Sequence, residues 1–318
     1  MLILIPGVTG NLGQHLCRAA LQQGHQVRGL GRSPDKLDPA LKSQLESWVD
    51  TTGIEDAASY DRACAGVDAI IVAWPAYARF VVDGQILLLR AAERAGVKRF
   101  HAASWNLDWE HLPLHEIETY DAMIFFADHA LMTSPIKLCH TFTGVLGKTL
   151  FGVPGAGILE GNSAFWVREG SVADNRRTIK VIGSGDVELN FTPEADAAEF
   201  TVALMASEYA EKGGYFRFCS DSFTPLQLGE AYKRVYPDAE VLIEKVMELD
   251  ECEAVMRQTR KEAREAGQLQ ERLIEYLGLA YGYYIASGKL NINPVDADKF
   301  PGCKRTSVEE YIRGNDYV

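Results

Sequence analysis

Residues 2–33 read LILIPGVTGNLGQHLCRAALQQGHQVRGLGRS, and the pattern of this stretch decides the fold. Leu2–Ile5 form a short apolar run that is typical of a buried strand. A glycine-rich turn at 7–13 follows at once, and apolar residues then recur at helical spacing over 16–24. A second strand is predicted at 27–30, which completes a strand–turn–helix–strand unit.

The spacing of Gly7, Gly10 and Gly13 has a chemical meaning. A side chain at Gly7 or Gly10 would block a pyrophosphate from bare backbone, and Gly13 lets the helix pack closely on the first strand. The helix N-terminus then presents N–H groups and the positive end of its dipole to the phosphates. The position between strand and helix favours a dinucleotide site over a glycine turn that binds nothing.

The end of the second strand indicates which dinucleotide binds. An NAD site usually places an acid about 20 residues after the glycines, where it accepts from the ribose hydroxyl. This chain has Arg32-Ser33 instead, and no acid between Arg28 and Pro34. A guanidinium and a hydroxyl suit a 2′-phosphate, so the sequence favours NADP(H). The alternative is that Arg32 is an ordinary solvated loop residue.

The composition excludes several classes of protein. The 318 residues carry a net charge of −12, which argues against nucleic acid as a partner. The six cysteines are scattered without a C-x-x-C pair, a usage typical of a reducing compartment. No targeting segment and no membrane-spanning run is evident, so we expect a cytoplasmic protein that makes no contact with membranes.

Predicted strands and helices alternate up to about residue 143. The third strand covers 48–51, with Asp50 near its carboxyl end, and the later elements follow in order. They are a helix at 56–64, a strand at 68–73, a helix at 80–95, a strand at 97–104, a helix at 117–132 and a strand at 136–142. This alternation predicts an α/β fold with a doubly wound parallel sheet.

After about residue 143 the pattern changes. The apolar runs at 178–182 and 187–192 flank Gly183-Ser-Gly185 and predict a hairpin. A helix at 193–209 and a strand at 215–219 follow, and residues 225–236 and about 246–286 are expected to be mostly helical.

Several of these motifs together resemble the NmrA-like family, which comprises atypical short-chain dehydrogenase/reductase proteins related to isoflavone and pinoresinol reductases. The motifs are the glycine turn, Arg32-Ser33, GVKRF at 96–100, the serine that ends the fifth strand, and IKVIGSGDVELNFTPEADAAEFTVALM at 179–205. ASWNLDW at 103–109 and YDAMIFFADHAL at 120–131 look like the fungal branch. The resemblance implies a Rossmann-type NADP-binding domain at 1–150. It also implies a smaller substrate lobe at 151–318, with elements that return to the first domain.

The resemblance also implies the cofactor-binding residues. The first group lies in the glycine turn and after the second strand: Gly7, Thr9, Gly10, Asn11, Leu12, Gly13, Arg32 and Ser33. Trp74 to Tyr77 would edge the cofactor, and Phe142, Thr143 and Gly144 would lie near the nicotinamide. Asp50 is counted with the cofactor site because of its place at a strand end.

The catalytic pattern of the family is incomplete in this chain. Classical members combine a serine with a Y-x-x-x-K pair, in which the lysine holds the ribose and lowers the pKa of the tyrosine. Ser104 and Tyr120 are present as candidate catalytic residues, but Ile124 stands where the lysine should be. The reductase relatives keep a lysine at the position of Met123. Neither alignment supplies the cation.

The remaining candidates concern the substrate. Aromatic side chains are expected to line an apolar pocket, namely Tyr77, Trp105, Trp109, Phe165 and Trp166. Tyr77 and Asp121 could supply protons, but a rim position for Tyr77 and a solvated helix position for Asp121 explain them better. His111 and His115 lack a third ligand, so no metal site is predicted.

Three functions fit these observations. The leading hypothesis is an NADP(H)-dependent reductase-like enzyme that acts on a small organic molecule, with secondary metabolites as one candidate class. Its substrate would be an activated electrophile, because the usual lysine is absent. The alternatives are a redox sensor that binds NADP and a protein partner, or a non-redox enzyme of the isomerase or cyclase type using the same pocket.

Overall fold

Strands and helices alternate through the first part of the chain. The structure is a computed structural model that describes residues 1–154, 156, 165–169 and 175–318. Up to residue 142 the elements are β1 (Leu2–Pro6), α1 (Asn11–Gln22), β2 (Gln26–Gly31), α2 (Pro39–Lys42), β3 (Ser47–Asp50), α3 (Ala57–Cys64), β4 (Ala69–Ile71), α4 (Gln85–Ala95), β5 (Arg99–His101), α5 (Glu118–Thr133) and β6 (Leu138–Phe142).

Shorter strands and further helices make up the rest of the chain. They are β7 (Val145–Leu146), α6 (Gly147–Leu150), β8 (Trp166–Glu169), β9 (Arg176–Ile182), β10 (Leu189–Thr192), α7 (Glu194–Ala206), α8 (Tyr209–Lys212), β11 (Gly214–Arg217), β12 (Asp221–Phe223), α9 (Pro225–Val235), β13 (Glu240–Met247), α10 (Leu249–Glu265), α11 (Leu273–Ser287) and α12 (Val308–Gly314). Among the described residues, no helix is long and apolar enough to cross a membrane.

Seven parallel strands form the main sheet, in the order β11-β6-β5-β4-β1-β2-β3. The chain runs outward from β1 to β3 and then returns to the other side of β1 with β4, so the strand order reverses between β1 and β4. Ile3, Leu4 and Ile5 are fully buried, as expected for a strand covered on both faces. The predicted Rossmann-type, doubly wound α/β fold is confirmed.

The chain contains two compact units. Unit 1 consists of Met1–Phe142, Glu194–Phe218 and Asn293–Lys304. Unit 2 consists of Thr143–Pro193, Cys219–Ile292 and Arg305–Val318. The division into 1–150 and 151–318 stays a prediction from the sequence.

Unit 1 includes elements from the second half of the chain. Helix α7 packs along α1, and β11 adds to β6 at the edge of the main sheet. Phe200, Val202 and Leu204 are fully buried in α7. A helix that is apolar on most sides needs cover on most sides, and this requirement explains its place inside the unit.

Unit 2 has two three-stranded sheets, and they correct the predicted hairpin. β9 pairs with β13 and β8, whereas β10 pairs with β12 and β7. The two runs therefore belong to different sheets and do not pair with each other. Gly183 and Gly185 do have positive φ angles of 70° and 73°, as a turn requires. Local turn residues do not decide which distant strand completes a ladder.

Strand β13 is an element that the sequence analysis does not predict, and its last two residues lie in the region expected to be helical from about residue 246. Val241 and Ile243, two residues apart, approach Gly229 of α9 from one face of the strand. The helices that follow are α10 and α11, so the expected helical region begins at residue 249 instead of 246. The helix predicted at 225–236 is confirmed and begins with a capping box of Thr224 and Gln227.

The helix predicted at 80–95 has an irregular start. Phe80–Gly84 forms a π-helical turn, and the regular α4 begins only at Gln85. A Cβ atom on Gly84 would lie 3.0 Å from Cζ3 of Trp74, so the indole ring packs directly on this turn. Wide turns of this kind are often found beside functional sites.

Candidate active site

The glycine turn lies at the carboxyl end of β1, beside the reversal of strand order. Gly7 has a φ of 81°, and a Cβ atom there would lie 2.5 Å from the carbonyl oxygen of Ala73. A Cβ atom on Gly13 would lie 2.2 Å from the oxygen of Gly7. Both positions therefore need glycine for the packing of the protein itself. For Gly13, this agrees with the predicted close approach of α1 to the first strand.

Gly10 is different, and its surroundings suit an anion. Its φ of −75° and ψ of 172° are open to any residue, and a Cβ atom would meet only the oxygen of Gly7, at 3.2 Å. Helix α1 starts here without a side-chain cap and without an acidic residue in its first turn. The helix end is thus positive and uncovered at Gly10, which is the arrangement that holds pyrophosphate groups.

The neighbours of Gly10 in the turn are accessible. Thr9, Asn11 and Leu12 are all partly exposed, and Asn11 Nδ2 donates to Oε1 of the buried Glu194 at 3.3 Å. This bond fixes the side chain of Asn11 at the first turn of α1. The residues present fit a dinucleotide.

The ends of β2 and β3 carry the residues expected at the ribose. Arg32 is exposed and forms no ion pair within the described part of the chain, and Ser33 is half-buried. Asp50 accepts a hydrogen bond from Nε1 of Trp48 at 2.9 Å. The Trp48 ring in turn lies against Gly31, where a Cβ atom would be 3.0 Å from its Cη2. Arg32 therefore keeps its charge available for an anionic ligand.

Trp74 and Tyr77 follow β4, on the other side of the reversal. Trp74 packs against Tyr60 and Phe80, with ring centroids 5.9 and 6.1 Å away. Its Cδ1 would lie 3.1 Å from a Cβ atom on Gly7, so the indole borders the glycine turn. Tyr77 is 53% exposed.

Ser104 and Tyr120 are both placed by internal packing. Ser104 Oγ accepts the Thr141 N–H at 2.9 Å and donates to the Ala102 carbonyl at 3.1 Å. The hydroxyl thereby links β6 to the residue that follows β5. Tyr120 lies on α5 with 1% of its surface exposed.

The two positions at which the family pattern predicts a lysine, Met123 and Ile124, contain no cation. Met123 is 3% exposed, and its sulfur accepts a hydrogen bond from Nδ2 of Asn106 at 3.2 Å. Ile124 is half-buried. Asn106 is not among the site residues predicted from the sequence. The signal that could indicate it is its place between two tryptophans in ASWNLDW.

The aromatic residues predicted to line the pocket occupy different places. In unit 1, Trp105 donates from Nε1 to Thr201 Oγ1 at 2.8 Å, and the buried Trp109 packs edge-on against Phe142 at 5.2 Å. In unit 2, Trp166 is 4% exposed and packs among other rings, and Phe165 is half-buried beside it. Each unit thus uses them in its own core, and pocket lining stays a prediction.

Phe142, Thr143 and Gly144 lie where unit 1 ends and unit 2 begins. Phe142 is fully buried at the end of β6, and Thr143 accepts at its carbonyl oxygen from Thr192 Oγ1 at 2.7 Å. Thr143 Oγ1 is buried and has no hydrogen-bond partner among the residues that the structure describes. Gly144 has a φ of 71°, and a Cβ atom there would lie 2.3 Å from the oxygen of Asn190. Its glycine is therefore required by packing.

The buried histidines behave as core residues. His101, on β5, pairs through Nε2 with Thr141 Oγ1 at 2.8 Å, and His140 packs against Trp109 and Tyr215. Burial lowers the pKa of both imidazoles to about 3, and the neighbouring His140 adds to the effect on His101. Both rings are neutral at physiological pH. No cluster of three metal-ligating side chains occurs among the residues that the structure describes.

Comparison with known proteins gives similar sequences and folds. The isoflavone reductase homolog IRL of Zea mays is 26% identical over 98% of this chain and 96% of its own length. The probable pinoresinol-lariciresinol reductase 3 of Arabidopsis thaliana is 27% identical over 64% of this chain and 62% of its own length. Assignment to a fungal branch remains a prediction.

Solved structures share the fold across the whole chain. A complex of AtPrR2 with NADP+ and (+)pinoresinol superposes with a TM-score of 0.73 at 20% identity, over 99% of this chain and 98% of that one. A ternary complex of leucoanthocyanidin reductase from Vitis vinifera gives 0.74 at 14% identity, over the full length of both. The model of the NmrA-like family matches residues 1–312, which include the glycine turn, both strand ends and α5. Because this match spans nearly the whole chain, the chain belongs to the NmrA-like family.

Proposed function

We propose that this protein is an NADP(H)-dependent reductase acting on a small organic molecule, with secondary metabolites as the candidate class. The observation that carries the proposal is the N-terminus of α1 at the exposed Gly10, which has no side-chain cap, together with Arg32, which forms no ion pair with the residues that the structure describes. The two features offer sites for a pyrophosphate and for a 2′-phosphate. The reductases among its relatives, and the NADP+ in the AtPrR2 complex, support this choice.

The proposed roles of the residues follow from their places. The cofactor supplies a hydride when bound. The glycine turn would hold its pyrophosphate, Arg32 and Ser33 its ribose phosphate, and Trp74 would border it beside Gly7. Thr143 stays the predicted neighbour of the nicotinamide, and its hydroxyl has no hydrogen-bond partner within the described part of the chain. Asp50 is already bonded to Trp48, which makes a direct cofactor contact the weaker part of the proposal.

We further propose that the substrate is an activated electrophile. The thioether of Met123 replaces the ammonium group of the relatives, and it can neither donate a proton nor support a positive charge. A simple ketone would form an alkoxide with no acid prepared beside it, and acid catalysis typically contributes about 10²–10⁴-fold in rate. A conjugated carbonyl or an iminium ion already contains the acceptor for the electron pair.

A sensor without catalysis is the second candidate, and one observation favours it. Ser104 Oγ already bonds two backbone groups and Tyr120 is buried, which disfavours a proton relay through these two hydroxyls. The protein would then bind NADP(H) and a protein partner. A non-redox reaction of the isomerase or cyclase type in the same pocket is the third possibility. The cytoplasm is the proposed location for all three, because the six cysteines are free.

The test is NADPH consumption with three groups of compounds: simple ketones, conjugated carbonyls and cationic imines. We expect turnover with the activated compounds alone. Turnover of simple ketones that is lost in Tyr120→Phe would show that a conventional proton relay exists and would refute the assignment to activated substrates. Tight NADPH binding without any turnover would favour the sensor.

A further inference from the structure

The segment after β5 contains a strained residue. Trp105 has a φ of 73°, a left-handed conformation that bulky side chains rarely adopt. Three contacts hold it there: its N–H donates to the Thr141 oxygen at 2.8 Å, its Nε1 donates to Thr201, and its ring stacks on His101 at 4.7 Å. Strain that the surroundings maintain in this way is concentrated at functional sites.

The strained residue separates two partly exposed polar side chains, Ser104 and Asn106. The backbone of Asn106 forms a parallel bridge to Phe142, so it lies at the carboxyl edge of the main sheet, next to the end of β6. Ligands of open α/β sheets bind beyond this edge. Ser104 Oγ is already bonded to two backbone groups, so Asn106 is the better candidate for a contact with a ligand at this edge.

The orientation of the Asn106 amide is determined by its partners. Trp109 Nε1, which can only donate, lies 3.0 Å from the amide oxygen. Nδ2 therefore faces the sulfur of Met123, at 3.2 Å, and a thioether is a weak acceptor. The second N–H of this amide has no hydrogen-bond partner among the described residues. A half-buried donor is thus held in place for an acceptor that the protein itself does not provide.

We propose that Asn106 Nδ2 donates a hydrogen bond to the oxygen of the substrate. The inference rests on the proposed function, in which NADPH reduces a conjugated carbonyl compound. Hydride forms a C–H bond at the β-carbon, the C=C π pair moves toward the carbonyl, and NADPH becomes NADP+. The oxygen then carries the negative charge of an enolate, and water supplies the proton that completes the reduction.

The chemistry of an amide agrees with this role. An amide N–H stabilises a developing oxyanion but does not give up its proton. It therefore assists the reduction of an activated substrate and offers little to a simple ketone, which needs a proton at the oxygen. The same residue accounts for a site that works without a lysine.

Kinetics with a conjugated carbonyl test the proposal in the full-length protein. Asn106→Ala removes the donor, and we expect kcat to fall by about 10²-fold, the usual effect of losing one oxyanion donor. The Kd of NADPH should not change. Asn315→Ala is the matched control, because Asn315 is also half-buried and donates from Nδ2 to the Tyr311 carbonyl oxygen. It follows the last residue of α12 in unit 2, so its loss should leave kcat unchanged.

An equilibrium measurement keeps the test independent of turnover and of folding. In the presence of NADP+, ionised 4-nitrophenol serves as an enolate mimic, and its affinity should fall about 10-fold in Asn106→Ala and in Asn106→Asp. Asn106→Asp retains the acceptor for Trp109 but adds a negative charge beside the phenolate, so the loss in Asn106→Ala reports the missing donor and the loss in Asn106→Asp should be at least as large. Unchanged kcat and unchanged phenolate affinity with intact NADPH binding would overturn this inference alone. Absence of NADPH binding in the wild type would instead refute the proposed function.

Discussion

At the scale of single residues, Arg32 carries the choice between the two nicotinamide dinucleotides. It is exposed and unpaired within the described chain, so its charge is available to a 2′-phosphate. We expect NADPH to bind more tightly than NADH, and Arg32→Ala to weaken NADPH by about 10-fold or more, since a charge-assisted hydrogen bond is worth about 1.5–3 kcal/mol. Isothermal titration with both dinucleotides measures the difference.

The control for Arg32 is Arg18→Ala, which removes the same charge from an exposed site on unit 1 where Arg18 pairs with Asp38 at 3.6 Å. This variant should leave both affinities unchanged. If the wild type binds NADPH and NADH equally well, Arg32 has no role in selecting the cofactor.

At the scale of elements, the junction of β1 and α1 is the proposed phosphate site. Gly10→Val places a branched side chain at the helix N-terminus, in a backbone conformation that valine tolerates. The Cβ contact of 3.2 Å with the Gly7 oxygen requires only a small shift, so the fold should survive at a cost of about 1 kcal/mol. NADPH affinity should fall by at least 10-fold, because the side chain occupies the space of the pyrophosphate.

Two further glycines serve as controls, each checked by thermal unfolding and NADPH titration. Gly53→Val adds the same side chain where nothing lies within 4 Å, and it should change neither property. Gly13→Val should unfold the protein, since its Cβ atom would lie 2.2 Å from backbone. A folded Gly10→Val that binds NADPH like the wild type would mean that the cofactor binds elsewhere.

At the scale of the whole molecule, two buried histidines make the stability sensitive to acid. Burial holds the pKa of His101 and His140 at about 3, whereas an unfolded histidine has a value of about 6.5. The unfolded state therefore binds two more protons between these values. The contribution of the two neutral histidines to the free energy of unfolding is fully present well above pH 6.5. It declines as the pH falls, by up to about 2.7 kcal/mol per pH unit for the pair.

Urea unfolding between pH 7.5 and about pH 5 measures this decline before most carboxylates titrate. In His140→Phe, which keeps a ring against Trp109 and Tyr215, the slope should drop by about one proton. Substitution of the exposed His111 by Gln should leave the slope as in the wild type. A slope that does not change in His140→Phe would show that this histidine is not held neutral.

The sequence by itself determined the main sheet and the predicted cofactor site. Burial of β1, the glycine turn and the start of α1 depend on residues that are adjacent in the chain, so periodicity and spacing are sufficient to predict them. The position of Arg32 after the second strand, and the absence of a lysine at Met123, are likewise visible in the sequence alone. The family followed from the same motifs, and the match over residues 1–312 confirmed it.

Only the tertiary structure decided which distant segments meet. β9 pairs with β13, more than 50 residues later, and no turn signal between 178 and 192 contains that information. The sequence offered Ser104 as a catalyst, yet the Thr141 N–H and the Ala102 carbonyl engage its hydroxyl. Asn106 gains its orientation from Trp109 and Met123, which reach it only when the loop after β5 folds against α5. Such roles depend on contacts between segments that spacing along the chain does not encode.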